Sequence, residues 1–355
     1  MASVDPSLAD LRLRDYRPRP MLRVQEHRVE GGRFPVVDAH NHLGRWLTGE
    51  WAAPDVGELL ALMEDSNIHA IVNLDGRWGD DLEANLERYD RAHPGRFATL
   101  CQLDWREAAS PGFAERLVGS LRRSRDRGAK GVKVWKDLGL HLRDDRGELL
   151  MPDDPRLSDM WDAAGELGLP IVVHVADPLA FFEPLDATNE RVEELLEHPD
   201  WWFGDRDRFP PFERIIEALE AVVAAHPRTT FIGVHVGCYA EDLSWVGRML
   251  DTYPNFNVDI AARIPELGRQ PRAARALMTT HPDRVLFGTD DFPPNRDTYA
   301  IHFRFLETLD EHFPYSPDEV PPQGRWAISG LGLPDDVLRA VYAENARRLI
   351  PGIGP

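Results

Sequence analysis

Two histidines one residue apart, His40 and His42 in VVDAHNHLG, put two imidazoles on one side of an extended chain, where both can reach a single cation. Three more chemically able groups sit at or next to the end of a run of β-forming residues: His174 in PIVVHV, His235 in TTFIGVHV and Asp290 in RVLFGTD. Period-two alternation pairs Val172 with His174, Gly233 with His235 and Gly288 with Asp290 on one face, and the two glycines leave space beneath a site. Three imidazoles and one carboxylate suit zinc best, with manganese, iron or cobalt as near alternatives. One carboxylate leaves residual positive charge, so water bound there is expected to lose its proton near pH 7, about eight units below bulk water. A lone His-x-His is weak evidence; five such groups at equivalent positions carry the inference together.

Those positions require a scaffold that brings strand ends to one place. Eight β-rich runs recur along the chain: FPVVDAH, HAIVNL, FATLCQLD, GAKGVKVW, PIVVHV, TTFIGVHV, NFNVDIA and RVLFGTD. Helical periodicity fills the intervals, as at residues 113–127 and 212–225. Alternation of this kind predicts an α/β fold, a (β/α)8 TIM barrel, whose functional groups gather at the C-terminal ends of the strands. An open doubly wound sheet is the competing architecture, but its GxGxxG fingerprint is missing. Three segments fall outside the repeating unit: an N-terminal arm (residues 1–33), an insertion after strand five (177–211) expected to lie over the mouth, and a C-terminal extension (292–355) with a Pro-rich loop and a final helix over 335–350. No linker divides the chain, so residues 1–355 read as one domain.

Composition narrows the function. The 355 residues carry a formal charge of −19, which opposes binding to nucleic acid or to anionic lipid. Two cysteines are too few for a disulfide framework, and no apolar run approaches the roughly 20 residues that cross a bilayer, so a cytoplasmic setting is expected. The GxSxG elbow of nucleophilic serine hydrolases and the HExxH zinc motif are both missing. His93, His198, His226 and His281 each precede proline and read as surface residues.

With strands and residues in place, the chain resembles the amidohydrolase superfamily, in the branch that includes aminocarboxymuconate-semialdehyde decarboxylase-like enzymes. The resemblance rests on VVDAHNHLG, VVHVAD, FIGVHVG, RVLFGTDDFP and ENARRLI, and runs from about Phe34 to Ile350. It implies that His40, His42, His174 and Asp290 bind one divalent metal, and that His235 is a catalytic histidine that polarises substrate or moves a proton. Other branches place a second metal at that position, bridged by a carboxylated lysine of the fourth strand. Lys133 and Lys136 in GVKVWKD are the candidates here, and Lys133 is read as a substrate-facing or internally paired ammonium, giving one metal.

Two reactions share this ligand set. Hydrolysis of an amide, lactone or ester would use metal-activated water, with Asp290 taking its proton and His235 steadying the oxyanion. Decarboxylation of an unsaturated or aromatic acid would use His235 or Asp290 to protonate the carbon that loses CO2. The breadth of superfamily chemistry favours hydrolysis. A barrel that binds metal without turnover is the reading from another class, and keeping all five groups argues against it. Arg77 and Arg263 are candidate carboxylate clamps, Trp46 a stacking surface, and Asp38 an outer partner for an imidazole, with Asp291 bonding a loop amide. Trp78, Trp135, Trp201 and Trp202 fall in the same mouth loops. The partner is a small molecule, and a homodimer is expected through the arm or the Pro-rich loop.

Overall fold

A computed structural model describes residues 5–106, 108 and 110–355. The eight strands run Val36–Asn41, Ile68–Asn73, Phe97–Thr99 continuing into Cys101–Gln102, Val132–Val134, Ile171–Val173, Phe231–Gly233, Phe256–Asp259 and Val285–Leu286. Each pairs in parallel with the next. The ring closes where Ala39 N donates to Phe287 O (2.9 Å) and Asp290 N to His40 O (2.9 Å). The expected closed barrel is therefore the observed one.

Helices form between strands where sequence supplies both a start and an apolar stripe. Asp55 caps Val56–Asp65 by accepting from Gly57 N and Glu58 N, and Asp242 caps Leu243–Thr252 in the same way. In Phe212–Ala225 the buried residues Phe212, Ile215, Ile216, Leu219, Val222 and Val223 follow helical spacing and face the barrel. Among the described residues no helix is long and apolar enough to cross a membrane.

The C-terminal extension contains more helix than the sequence reading assigned. Arg296–Glu307 forms an α-helix capped by Asn295, and the spacing of buried Tyr299, Phe303 and Leu306 was the available signal. The final helix runs from Asp335 to Leu349 with a π turn at Ala340–Glu344. It braces the eighth strand through Phe287 N on Val341 O (2.9 Å) and Asn345 Nδ2 on Val285 O (2.8 Å).

Asp38 does not orient an imidazole, contrary to the sequence expectation. Its carboxylate accepts from Thr289 N (3.1 Å), Thr289 Oγ1 (2.7 Å), Tyr299 OH (3.0 Å), Asn41 Nδ2 (3.1 Å) and the backbone of His40 (3.3 Å). It thus ties the first strand to the segment after the eighth. Asp38→Ala strands buried donors on both sides of this seam and should lower stability by roughly 3 kcal/mol, read from the urea midpoint. A change below about 1 kcal/mol, within the net worth of one ordinary hydrogen bond, would show that the seam does not depend on it.

Candidate metal centre

His40 lies within the first strand, and Asp259, at the end of the seventh, sets its ring. Asp259 Oδ2 takes the Nδ1 hydrogen of His40 at 2.8 Å, while Oδ1 accepts from His235 N (2.8 Å) and Ala261 N (3.1 Å). The His40 ring is therefore turned so that Nε2 faces Asp290 Oδ1 at 3.5 Å. His42 Nε2 stands 3.2 Å from the same oxygen, and its Nδ1 is buried without a partner. Asp259 was not singled out in the sequence. Its signal was available, because NFNVDIA carries a carboxylate at the end of a strand.

His235 and Asp290 reach the same place by a different local route from the one alternation implied. Their strands end earlier, at Gly233 and Leu286, and both residues adopt left-handed backbone, with φ of 56° at His235 and 60° at Asp290. Val236 follows at φ 61°, a conformation that a β-branched residue adopts only under strain. The kinks, rather than strand parity, aim these side chains inward. His235 donates Nδ1–H to Ala261 O at 2.8 Å, and its Nε2 faces Asp290 Oδ2 at 3.8 Å. Gly288 does leave needed room, since a Cβ there would lie 2.8 Å from the His40 Cβ. The space at Gly233 is instead taken by the Phe256 ring and Gly237.

These groups fit a cation. With Nδ1 of His235 committed to Ala261 O, its Nε2 turns a lone pair toward the Asp290 carboxylate, which is repulsive unless positive charge lies between them. Burial holds His235 well below the ordinary imidazole pKa and His42 down to about 4, so these rings do not supply that charge at neutral pH. Burial opposes ionisation of Asp290, but His40, His42 and Lys133 outweigh it and keep the carboxyl well below its ordinary range. The 3.2, 3.5 and 3.8 Å separations sit close to the ~3.3 Å between donor atoms around a tetrahedral ion with ~2.0–2.1 Å bonds. Among the described residues, His40, His235 and Asp290 each offer a ligand atom, all within 4.8 Å of one another.

His174 borders the cluster, its ring centroid 4.7 Å from that of His235, but its Nε2 faces Asp177 Oδ1 at 3.2 Å. Lys136 also pairs with Asp177. Of the two lysines, Lys133 points inward: it is buried, its Nζ has no hydrogen-bond partner, and burial pushes its pKa down to about 8 against the pull of Asp290 and Asp259.

The cluster lies at the base of a cavity of ≈ 490 Å³, walled by Trp135, Trp201, Phe181 and Phe292 and by Arg263. Asp177, Pro178, Phe181, Arg191 and Trp201, from the insertion (residues 177–211), form one side of it. Arg191, unnoticed in the sequence and fully buried, holds that insertion through Glu194 (2.6 Å) and Glu266 (2.7 Å). Arg77, Trp46 and Lys133 instead line a smaller neighbouring pocket of ≈ 280 Å³ with Trp78 and Trp105, on the far side of Trp135. Arg77 stacks over Trp78 at 4.0 Å and Trp46 at 4.8 Å and does not converge on the cluster with Arg263. Trp202 donates to Glu183 O, and Asp291 accepts from the Asn295 side-chain amide (2.6 Å). Of the histidines taken for surface residues, His226 is instead buried against Asp162, while His198 is exposed as expected, at the cavity edge and stacked on Trp201.

A family model described as amidohydrolase matches residues 37–352. No curated protein sequence matches the chain. Among solved structures, 2,6-dihydroxybenzoate decarboxylase from Rhizobium is 16% identical over 89% of this chain and 98% of its own, with a TM-score of 0.54. A putative amidohydrolase from Staphylococcus aureus is 14% identical over 89% and 99%, TM-score 0.56. A dihydroxybenzoic acid decarboxylase from Polaromonas sp. JS666, with bound manganese and the inhibitor 2-nitroresorcinol, is 15% identical over 89% and 96%, TM-score 0.54. At such identities the likeness shows the fold alone.

Asp259 provides a direct check on the cation fit. In Asp259→Asn one acceptor oxygen becomes an amide NH2 donor facing the N–H groups of His235 and Ala261 or of the His40 ring, so the imidazole loses its fixed orientation. Affinity for zinc or manganese, measured by chelator competition, should fall roughly 10- to 100-fold while the fold persists. Unchanged affinity would remove Asp259 from the site.

Proposed function

The chain belongs to the amidohydrolase family, whose members are enzymes, and from that premise we propose a metal-dependent hydrolase that opens a small, flat amide, lactone or ester. The observation that carries this reading is the set of imidazole Nε2 atoms turned onto the ionised Asp290 at the base of an aromatic-walled cavity. His40, His42, His174 and Asp290 would hold the ion, zinc or manganese. When bound, the ion supplies Lewis-acid polarisation of the carbonyl and lowers the pKa of water.

The chain's own groups do the rest. Asp290, kept ionised, accepts the proton of the attacking water. His235 Nε2 has no hydrogen while Nδ1 is given to Ala261, so its resting role is to accept a proton and return it to the leaving group, rather than to donate to an oxyanion. Lys133, with an unpartnered buried Nζ near Asp290, is the better donor to an oxygen gaining charge. Arg263 offers its guanidinium fork to a substrate carboxylate, with part of its charge already balanced by Glu194 and Glu241. Trp135, Trp201 and Phe292 exclude water and stack on a planar substrate. Arg77 and Trp46 would take a group extending past Trp135.

Decarboxylation of an aromatic or unsaturated acid is the second reading, favoured by the pairing of Arg263 with aromatic walls. His235 Nε2 would first take a proton, from a substrate hydroxyl or from solvent, and then deliver it to the carbon that loses CO2. Metal-loaded chain given aryl esters, lactones, amides and hydroxybenzoates separates the two by release of acid or of CO2. His235→Asn should keep the metal and lose turnover by roughly 10²- to 10⁴-fold, whereas His174→Asn should lose the metal. Turnover near wild type in His235→Asn, or retained metal in His174→Asn, would reverse these assignments.

A further inference from the structure

Arg77 is held in an uncommon way for a cation in so acidic a chain. Its backbone lies in the left-handed region at φ 58°, a conformation unfavourable for a residue with a Cβ and concentrated where proteins grip ligands. The guanidinium rests between two indoles, 4.0 Å from the Trp78 ring and 4.8 Å from that of Trp46. Its Nη1 has one long bond, to Gln102 Oε1 (3.3 Å), and it makes no ion pair among the described residues. Asp75, the acid whose charge bears most on it, is engaged by Trp46 N (3.0 Å) and Gln102 Nε2 (3.4 Å).

The pocket that Arg77 borders is lined to receive an anion. Trp46, Trp78, Trp105 and Trp135 supply flat apolar walls, and Lys133 brings a second positive charge. Lys133 Nζ and Trp135 Nε1 are both buried donors without an acceptor. Arg106 also lines the pocket but is paired with Asp104 (2.5 Å), and Asp137 is the acid in the lining. In a protein of formal charge −19, unpaired cations and idle donors around one concavity favour a ligand that is negative and rich in acceptors. Its volume of ≈ 280 Å³ falls just short of the roughly 300–1,000 Å³ of sites for drug-sized ligands, which suits a single ring.

We propose that this pocket is a second ligand site, selective for a planar carboxylate with one aromatic ring: the guanidinium fork of Arg77 takes the carboxylate and the ring lies against the indoles. Binding here needs no metal, because His40, His42, His235 and Asp290 are not among the lining residues. Nor is it the carboxylate that Arg263 would hold, since Arg263 belongs to the cavity over the cluster. Trp135 joins the two compartments, lining both and packing on His42 with ring centroids 5.1 Å apart. The proposal rests on the hydrolase reading in one respect: the part of the substrate that extends past Trp135 is then an aryl carboxylate.

Titration of the metal-free full chain with benzoate, followed by broadening of the benzoate NMR lines, tests the pocket apart from catalysis. The wild type should bind benzoate, and should bind benzamide, which lacks the charge, and cyclohexanecarboxylate, which lacks the flat face, at least roughly fivefold more weakly. Arg77→Met should weaken benzoate roughly tenfold or more with the unfolding midpoint little changed, Arg77→Lys should restore only part of the affinity because an ammonium has no fork, and Arg263→Met should bind as the wild type does. Benzoate binding by a chain that shows no turnover once metal is loaded would sustain the pocket and count against the catalytic reading alone. Affinity untouched by Arg77→Met, affinity lost in Arg263→Met, benzamide bound as well as benzoate, or no binding at about 10 mM benzoate overturns the proposal.

Discussion

The hydrogen bonds between the first strand and the last, Ala39 to Phe287 and His40 to Asp290, join parts of the chain some 250 residues apart in sequence. Every chemical feature of the mouth depends on that seam, because the paired imidazoles come from one side of it and the carboxylate from the other. Asp38 locks it from below, with acceptor bonds to both edges and to Tyr299 of the following helix. Parallel pairing in register around the other seven strands then leaves only one place where their ends can meet.

At that place burial sets the electrostatics. Burial makes imidazolium costly, which keeps His42, His174 and His235 as neutral lone-pair donors, and it makes the Lys133 ammonium easier to discharge. Asp290 and Asp259 play different parts. Asp290 is surrounded by nitrogen, and Asp259 accepts three donors that also fix the His40 and His235 geometry. The left-handed backbone at His235 and Asp290 is tolerated because these hydrogen bonds and the packed barrel hold it.

Above the cluster the insertion forms a wall whose attachment is ionic. Arg191 between Glu194 and Glu266 is out of solvent, and removing the arginine would leave two buried carboxylates without a counter-charge. Arg269 with Glu190 and Arg325 with Glu193 repeat the connection nearer the surface. Aromatic area and these ion pairs together give the mouth a defined shape, and Trp135 divides it into two compartments.

The number of strands, their order, and the identity of the groups at their ends were legible in the sequence, because alternation and β-branched runs are local properties that each segment carries alone. The same holds for helices with a clear cap and stripe, such as Phe212–Ala225. What only the tertiary structure decided were relations between segments. Asp259 rather than Asp38 orients His40, Lys133 is buried in the barrel without a hydrogen-bond partner while Lys136 pairs with Asp177 at the cavity, and Arg263 shares that cavity while Arg77 lies behind Trp135. Side-chain partners depend on barrel closure and on left-handed kinks that no period reveals, since a single residue changing backbone region redirects its side chain without changing the pattern of residue types around it.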